Sequence, residues 1–567
     1  MLIAVLPLRG MEILGCMGEN GDDAGVEQKR DAGGGTDAAT GSDAATGTDS
    51  ATSADAATGT DTATGVDSSP GTDAAAGRDS ASGSDSATAT DAAVADSSLP
   101  DTTVADAAPA TDPPPGTWTT QAISPYTAIF AESVGQMPRV AINASGDALV
   151  TWSQNEHPFF AERIGGVWSF LSDVHHHIPV AGESGTVLPG LADNGDAAIS
   201  WAINSPAAMI MHSTKASGTW SHPTQNSDRY DYAGGIANWP SMQLAGDGTG
   251  LLIWKYFYNG MVAATASAGA WAQPGVPEAN YLINVGGSFT GGSSAGKSGV
   301  GVGNGGNMVA AWIHTDGAGY VVHMAHRIGS WSLGTRISPP PGVTVGGMES
   351  PKVAVGNNGD ALVTWFQQTD YPGCGGCGAL YLSEYTGSVW THPADSGDIF
   401  SLTDTTVKAF ADGGFVGIAD NGGAVVIWRQ FALNYTDAQI YVAERTAGVW
   451  HKPGPDEYIH LPGGANGTES FHATMGRNGD VLIVRTGRNA TQTRTQTYAI
   501  QRINGEWYIP LSPLELLDLG SGGNTPFTAI AANGQAIIAT SAYDPVAAQT
   551  RIWIAEYQPD EGLSSES

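Results

Sequence analysis

The stretch Pro351-Lys-Val-Ala-Val-Gly-Asn-Asn-Gly-Asp-Ala-Leu-Val-Thr-Trp365 predicts one β-hairpin. Both of its arms are rich in β-branched and small residues and poor in charge, which is typical of strands covered on both faces. Asn358-Gly359 between the arms is a strong hairpin signal, for which we expect a type I′ turn with positive φ at both central residues. The chain therefore turns back at Gly359 and ends its second strand near Trp365.

Variants of this hairpin recur eight times after residue 116. Six copies have a turn glycine followed six residues later by tryptophan, and the last two keep only the glycine. Successive turn glycines lie 49 to 63 residues apart, a spacing typical of a repeated supersecondary unit. The pairs are Gly146/Trp152, Gly195/Trp201, Gly248/Trp254, Gly306/Trp312, Gly359/Trp365, Gly422/Trp428, Gly479/Arg485 and Gly534/Thr540.

A Gly-x-Trp sequence or a close variant marks a fourth strand in each copy except the last, after a third strand such as 440–444. An unpaired copy of this landmark, Gly116-Thr-Trp118, precedes the first hairpin and can supply the strand that the eighth copy lacks. These features predict an all-β, eight-bladed β-propeller of four-stranded antiparallel blades, closed by an N-terminal strand. An open solenoid is the alternative, but it would not need Trp118 at its far end. The landmark tryptophans are Trp168, Trp220, Trp271, Trp331, Trp390, Trp450 and Trp507.

Residues 1–16 end in Ile13-Leu-Gly-Cys16, which resembles the lipobox of a bacterial lipoprotein signal peptide. The resemblance implies cleavage before Cys16 and lipidation of its thiol. No basic residue precedes the apolar run, and Arg9 and Glu12 interrupt it, so an ordinary cleaved signal or a misassigned start are alternatives. We expect an exported bacterial protein at the outer membrane or cell surface, which meets the membrane only through its lipid anchor.

Residues 17–115 read as a disordered acidic linker. An aspartate recurs every six residues from Asp31 to Asp91 among Ala, Thr, Gly and Ser, and such a segment cannot offset its ordering entropy. The propeller region, 116–567, is also acidic, with 36 acidic and 19 basic residues within a whole-chain net charge of −33. This charge disfavours nucleic acid and anionic membrane surfaces as partners. We expect a monomer.

The long loops between the second and third strands and between blades should share one rim, opposite the short turns. Binding sites favour such loop-lined mouths. Several of these loops combine aromatic rings, which can stack on a sugar, with carboxylates, which can accept hydrogen bonds from its hydroxyl groups. The candidate ligand-binding residues are Tyr230, Tyr232, Trp239, Asp370, Tyr371, Tyr435, Asp437, Tyr458, Tyr543 and Asp544.

Other motifs have simpler interpretations. Cys374-Gly-Gly-Cys377 in an exported all-β protein favours a disulfide at a loop tip over a zinc or redox site. His175-His-His177 favours a polar surface run over a metal site, and we expect no metal and no cofactor. Residues 291–298 match the phosphate-binding loop pattern, but a glycine-rich strand follows them instead of the helix that such a loop requires.

The repeats resemble those of bacterial secreted sialidase-like β-propellers of the BNR type. The resemblance rests on the sequences of 358–365, 440–445 and 447–453 and covers nearly all of residues 116–560. It implies a propeller that meets carbohydrate, but the aspartate of the sialidase Asp-box is missing from every copy. Arg139 resembles the first arginine of the sialidase site, while Arg429 and Arg485 match no recognisable partner residue, so no catalytic residue is assigned.

Three functions remain open from the sequence. The first is a surface-anchored binding module for a glycan or an extracellular or envelope protein, with no catalysis of its own. The second is a sialidase-like glycoside hydrolase or a lyase that acts on extracellular polysaccharide, with paired carboxylates on the long-loop rim. The third is a structural scaffold of the envelope. A fold alone does not choose among them.

Overall fold

The architecture is taken from a computed structural model of the chain. No helix in the described residues is long and apolar enough to cross a membrane. The structure describes residues 116–122, 136–154, 156–169, 178, 184–203, 208–231, 237–256, 260–273, 282, 297–315, 320–332, 334–338, 350–369, 377–395, 397–402, 411–431, 438–459, 468–488, 495–509, 526–544 and 549–560.

Strand β1 spans Gly116–Ala122, and the later strands form eight antiparallel sheets, which we call blades 1 to 8 in chain order. Blade 1 comprises β2 (Gln136–Ile142), β3 (Ala148–Gln154), β4 (His157–Ile164) and β5 (Val167–Ser169), and blade 2 comprises β6 (Ser184–Leu191), β7 (Ala197–Ile203), β8 (Met209–Ala216) and β9 (Thr219–Ser221). Blade 3 comprises β10 (Ala237–Leu244), β11 (Gly250–Tyr256), β12 (Gly260–Ser267) and β13 (Ala270–Trp271). Blade 4 comprises β14 (Ser298–Val302), β15 (Met308–Thr315), β16 (Tyr320–Ile328) and β17 (Ser330–Trp331), with β18 (Thr335–Arg336) also paired to β16.

Blades 5 to 8 continue the pattern. Blade 5 comprises β19 (Lys352–Val355), β20 (Ala361–Thr369), β21 (Cys377–Thr386) and β22 (Val389–Thr391), and blade 6 comprises β23 (Ala411–Ile418), β24 (Ala424–Phe431), β25 (Ala438–Thr446) and β26 (Val449–His451). Blade 7 comprises β27 (Thr468–Met475), β28 (Val481–Arg488), β29 (Thr495–Ile503) and β30 (Glu506–Tyr508). Blade 8 contains β31 (Phe527–Ile530), β32 (Ala536–Asp544) and β33 (Gln549–Pro559). Short 3-10 turns occur at Asn226–Asp228 and Asn304–Gly306.

The fold is an eight-bladed β-propeller, as the sequence predicts. The fourth strand of blade 8 is β1, which pairs with β33 from Gly116 opposite Pro559 to Ala122 opposite Trp553. The first strand of every blade contacts the first strands of both neighbouring blades, and β2 contacts β31, so these eight strands surround a closed central channel.

The apolar core is divided among the interfaces between blades. Each of eight buried clusters joins one blade to the next, including blade 8 to blade 1 through Ile554 and Trp152. In blades 1 to 6 the second-strand tryptophan lies at such an interface and is at most 1% exposed. Burying a large aromatic side chain in this way contributes roughly 4–6 kcal/mol each. The repeated tryptophan is therefore the main apolar anchor between neighbouring blades.

The predicted type I′ geometry of the first-to-second turn is wrong. In blade 5, Gly359 has φ +88° but Asn358 is not in the positive-φ region, and the Gly359 amide donates to the Gly356 carbonyl. This pattern is a three-residue loop that ends in a left-handed glycine. Type I′ turns occur instead between the third and fourth strands, as at Asn504 (φ +52°) and Gly505 (φ +91°). The Asn-Gly pair alone does not separate the two loop types.

Both sets of short turns lie on one rim, as predicted. The aspartate after the turn glycine accepts a hydrogen bond from the third-to-fourth turn of its own blade: Asp147 Oδ1 from the Gly165 amide at 2.8 Å, and Asp196 Oδ1 from the Ser217 amide at 3.1 Å. We call this side of the propeller the turn rim and the opposite side the loop rim. The long loops of the loop rim are mostly outside the described residues.

A polar contact reinforces six of the eight interfaces. The landmark tryptophan of one blade donates its indole N–H to a third-strand side chain of the preceding blade. Glu556, for example, accepts from Trp168 Nε1 at 2.7 Å and lies 2.8 Å from Arg163 Nε. The tryptophan and acceptor pairs are Trp118/Gln501, Trp168/Glu556, Trp220/Glu162, Trp390/His326, Trp450/Glu384 and Trp507/Glu444.

Both interfaces of blade 3 lack this contact. The acceptor position is occupied by Thr214 in blade 2 and by Thr265 in blade 3, and threonine is too short to span the interface. The Trp271 indole N–H is consequently buried without a hydrogen-bond partner among the described residues. Blade 3 is thus held to its neighbours by apolar packing with less polar support than the other blades.

Replacing Glu556 by alanine should strongly destabilise the propeller. The substitution leaves Arg163, 6% exposed, without its carboxylate partner at the interface where the ring closes, and removes the acceptor for Trp168. Breaking a buried ion pair in this way costs about 3–5 kcal/mol. Thr265→Ala, at the same position of blade 3, is the matched control and should change the unfolding free energy by less than about 1 kcal/mol. Denaturant unfolding of both variants checks this, and equal losses would contradict it.

Candidate functional site at the mouth of the channel

Arg477 crosses the central channel at the turn rim. It belongs to the first turn of blade 7, yet its guanidinium donates to Asp193 Oδ2 of blade 2 at 3.3 Å and to Asn304 Oδ1 of blade 4 at 3.5 Å. Each of these blades is three interfaces away from blade 7, so the bonds span the channel. Arg477 therefore spans the channel at the turn rim, and we call the opposite end, at the loop rim, the mouth.

Trp239 stands at the mouth on a strained backbone. It lies at a β-bulge between Asn238 and Ser241 in the first strand of blade 3, with φ +53° and 36% exposure. A positive φ is an outlier for a bulky residue and costs about 1–3 kcal/mol. Strain of this kind concentrates at functional sites. Blade 1 has the same bulge, between Gln136 and Arg139, with Met137 at φ +48°, so the bulge recurs in the fold and the exposed indole is what blade 3 adds to it.

Lys255 accompanies this indole. Its Nζ lies 4.7 Å from the centroid of the Trp239 ring, which is cation–π geometry. Burial lowers the pKa of Lys255 from its usual value. Blade 3 thus offers a flat aromatic face with an ammonium group against it.

A second group lies across the channel, on the first strands of blades 7, 8 and 1. The Arg139 guanidinium lies 3.4 Å from the Phe527 ring centroid, and the His472 ring centroid lies 4.6 Å from that of Phe527. His472 Nδ1 lies 3.0 Å from Thr528 Oγ1. Burial, with the nearby charges of Arg139 and Lys352, lowers the pKa of His472 to about 3, so its imidazole is neutral near pH 7.

Behind the mouth, the ring of second-strand tryptophans is interrupted. Blade 7 has Arg485 at this position and blade 8 has Thr540, both at most 4% exposed. Arg485 faces the blade 6 interface, where Arg429 is also buried, and it is paired in register with Phe471, the neighbour of His472. Burial and the charge of Arg429 lower the pKa of Arg485 to about 10, while Tyr498 opposes the shift. Arg485 therefore remains cationic at neutral pH.

The arrangement favours binding of negative charge. In a domain with an excess of acidic residues, the described residues gather Arg139, Lys352, Arg429 and Arg485 around the mouth at blades 5 to 7 and blade 1. Grouped positive charges attract ligands of the opposite sign. Guanidinium groups are suited to carboxylate and sulfate because they form paired hydrogen bonds. Trp239 lies on blade 3, opposite blade 7 in the ring of eight, and adds a stacking surface.

Three of the candidate ligand-binding residues have described side chains. Trp239 lies at the mouth, as above. Tyr230 is held inside the interface between blades 2 and 3, where its hydroxyl donates to the Ala272 carbonyl at 2.9 Å and its ring contacts that of His212. Tyr458 is half-buried with its ring edge-on to Tyr441, at a centroid distance of 5.9 Å. Of the three, only Trp239 combines exposure with a place at the channel.

The other candidates fall wholly or partly outside the described residues. Tyr543 and Asp544 end strand β32 and Cys377 begins β21, but the side chains of these three residues are not described. The predicted disulfide and the predicted lipidation therefore stay predictions. Among the residues that the structure does describe, no group of three or more His, Cys, Asp or Glu is placed to hold a metal ion. The residues that lie outside are Cys16, Tyr232, Asp370, Tyr371, Cys374, Tyr435 and Asp437, with 175–177 and 291–296.

The sequence interpretation missed Lys352, His472, Phe527 and Tyr498. A signal for this region was present, since the tryptophan is lost from two consecutive copies, at Arg485 and Thr540. The loss was interpreted as divergence of the last two repeats, whereas the structure places polar and cationic side chains at these two positions, behind the mouth.

No protein-family model matches the chain, and neither does any curated protein. Among solved structures, the polysaccharide lyase Uly1 is similar, with 9% identity, 78% of this chain and 93% of that chain covered and a TM-score of 0.42. A PL25 ulvan lyase has 10% identity, coverages of 75% and 94%, and a TM-score of 0.39. The Aleuria aurantia lectin with Fucα1-6GlcNAc has 14% identity, coverages of 57% and 94%, and a TM-score of 0.31. At such identities and scores, these proteins say nothing about the activity of this chain.

The strain at Trp239 can be tested by two truncations that differ only in their tolerance of positive φ. Trp239→Gly should be more stable than Trp239→Ala by about 1 kcal/mol, because alanine pays the left-handed penalty and glycine does not. The same pair at Ser241, whose φ is not positive, should show the opposite order by about 0.5 kcal/mol. Urea unfolding of the four variants measures both differences, and an alanine variant more stable than glycine at 239 would refute the strain.

Proposed function

We propose that this protein is a non-catalytic binding module for an anionic glycan, which it takes at the mouth of the channel. The observation that carries the proposal is the opposition of a strained, exposed Trp239 on blade 3 to the cationic group on blades 5 to 7 and blade 1. An aromatic face can stack on the apolar side of a sugar ring. Cationic groups can meet its carboxylate or sulfate.

The site has accessible and buried parts with different roles. Lys352 is exposed and Arg139 is half-buried at the first strands, so both can approach a ligand directly. Arg429 and Arg485 are buried behind them and contribute through the positive potential that they maintain at the mouth. Affinity should accordingly fall as salt screens these charges.

The titration of the site favours binding over catalysis. A general base works best with a pKa near the working pH. The His472 imidazole has a pKa of about 3 and is too weakly basic to remove a proton effectively. Burial raises the pKa of the Tyr498 phenol, so the phenol keeps its proton at neutral pH. These pKa shifts support charge binding over proton transfer by His472 or by Tyr498, which is buried behind the mouth.

Binding of soluble polysaccharides to the full-length protein tests the proposal. We expect dextran sulfate and polygalacturonate to bind, with affinity that falls as salt rises, and neutral dextran not to bind. Trp239→Ala and Arg139→Met should each weaken binding about tenfold or more, a change of about 1.4 kcal/mol. Isothermal titration calorimetry gives the affinities.

Arg477→Met is the matched control, because it removes the same charge at the closed end of the channel. Its affinity should equal that of the unmodified protein. Equal binding of dextran and dextran sulfate, or equal losses in the Arg139 and Arg477 variants, would contradict the proposal. Shortening of the polygalacturonate chains during the titration would show that the protein is a lyase or a hydrolase, and the proposal of a non-catalytic binding module would then be wrong.

We further propose that the propeller is displayed at the bacterial surface through a lipid on Cys16, with the acidic linker 17–115 as its tether. The support is the lipobox-like Ile13-Leu-Gly-Cys16 and the six-residue aspartate period. When the chain is expressed in a bacterium with a labelled fatty acid, label should enter the protein. Cys16→Ser should abolish the label and release the protein from the membrane fraction, and label retained in that variant would exclude the anchor.

A further inference from the structure

Several blades hold an aspartate carboxylate between their two short turns on the turn rim, and this shows how the rim binds a carboxylate. The residue after each turn glycine is aspartate in blades 1, 2, 5 and 7, and in blades 1, 2 and 7 its carboxylate accepts a hydrogen bond from the third-to-fourth turn of its blade. In blade 7, Asp480 Oδ1 accepts from the Asn504 amide at 2.9 Å and Asp480 Oδ2 accepts from Asn478 Nδ2 at 2.6 Å. In blade 2, Asp196 likewise accepts from the Ser217 amide and, at 2.8 Å, from Asn194 Nδ2.

Blade 6 keeps the donors of this arrangement and lacks the carboxylate. Its corresponding residue is Gly423, the only glycine at this position in the eight copies. The surrounding turns are otherwise of the same kind. Gly423 donates its amide to Asn421 Oδ1 at 2.8 Å, as Asp480 does to Asn478, and Ala447 (φ +50°) begins the same type of turn as Asn504. The structure records no acceptor among the described residues for Asn421 Nδ2 or for the Ala447 amide.

A cleft of about 290 Å³ opens at this position, between the turns of blades 6 and 7. Gly423, Asn421 and Ala447 line one wall, and Asn504 and Arg502 line the other. Arg502 donates through Nη2 to Glu444 at 2.8 Å, whereas its buried Nε has no hydrogen-bond partner among the described residues. The cleft therefore contains amide donors from the missing carboxylate's site and a guanidinium group.

The acidic residues around the cleft are already occupied. Glu444 accepts from Arg502 and from Trp507 Nε1, each at 2.8 Å, and Asp480 is held by Asn478 and Asn504. Aspartates at this position occur in the neighbouring blades 1 and 2, so the rim tolerates carboxylates one blade apart. A carboxylate at Gly423 would repeat that arrangement beside Asp480.

We propose that this cleft is a second ligand site, which binds one carboxylate in the place of the aspartate side chain that blade 6 lacks. Asn421 Nδ2 and the Ala447 amide donate to its oxygens, as their counterparts do to Asp480 and Asp196. The carboxylate is carried either by a uronic acid or by an acidic amino-acid side chain, since both present the same group. The site lies on the rim opposite the mouth and does not depend on the function proposed there.

Nuclear magnetic resonance of the ¹⁵N-labelled full-length protein tests this site. We expect D-glucuronate and N-acetyl-aspartate amide to shift the Asn421 side-chain and Ala447 amide resonances with saturation, and neutral methyl glucoside to leave them in place. Tighter binding of glucuronate identifies a sugar ligand, and tighter binding of the aspartate derivative identifies a protein ligand. Either order supports the carboxylate site.

Gly423→Asp supplies the missing carboxylate from within the chain. The φ of Gly423 is not positive, and a Cβ there would approach only the end of the Asn421 side chain, at 2.9 Å, so aspartate fits as it does in the other blades. This variant should bind both carboxylates at least tenfold more weakly and should show a higher unfolding midpoint, because its own side chain joins the two turns.

Asn307→Asp is the matched control, since it introduces aspartate at the same position of blade 4. It should bind both ligands as tightly as the unmodified protein. Three outcomes would overturn the proposal: no saturable shift with either carboxylate, an equal response to methyl glucoside, or undiminished binding by a Gly423→Asp variant that is folded by its unfolding midpoint. Failure of polysaccharide binding at the mouth would leave this result unaffected.

Discussion

The structure depends on the burial of each blade face against the next blade. A four-stranded sheet of this size has two apolar faces and cannot cover either by itself, so each interface must be filled from both sides. The second-strand tryptophans fill six of the eight interfaces. Six interfaces also have a hydrogen bond from the indole N–H of a landmark tryptophan to a third-strand side chain of the preceding blade. Closure by β1 then removes the free ends that an open array would leave. Neighbouring blades thus stabilise one another around the ring.

Against this repeated background, the departures from the repeat indicate where the molecule does something more than fold. Tryptophan is replaced by Arg485 and Thr540 in adjacent blades, and the polar residues there lie behind the mouth. Trp239 places an exposed indole at a first-strand bulge that blade 1 also has, and it lies on the one blade whose two interfaces lack the polar contact. Gly423 omits a carboxylate whose hydrogen-bond donors remain. Functional sites often break the local rules that the rest of a fold obeys, which is why the proposals are placed at these positions.

The two rims are chemically different. At the loop rim, cationic side chains and an exposed indole lie around the mouth, where the pKa values of His472 and Arg485 leave the imidazole neutral and the guanidinium charged near pH 7. At the turn rim, Arg477 closes the channel and the aspartate network joins the turns. The resemblance to sialidase-like repeats agrees with the architecture. In the sequence, Arg139 resembles one residue of the sialidase site, and the aspartate of the Asp-box is missing from every copy.

The repeat was predictable from the sequence because its signals are local. Turn glycines, strands rich in small and β-branched residues and the Gly-x-Trp landmarks depend on neighbouring residues, and the spare landmark at Trp118 indicated closure. The turn type was not predictable from Asn358-Gly359 alone, because the same pair fits two loop geometries that differ in the φ of asparagine. The sites were mostly hidden for a different reason. His472 and Arg485 lie on paired strands of blade 7, but Arg139 is more than 300 residues earlier in the chain, and only the closed ring brings it to them. The sequence by itself determined the number of blades and how the ring closes, while the tertiary structure alone decided which side chains share the channel, because those contacts cross blades.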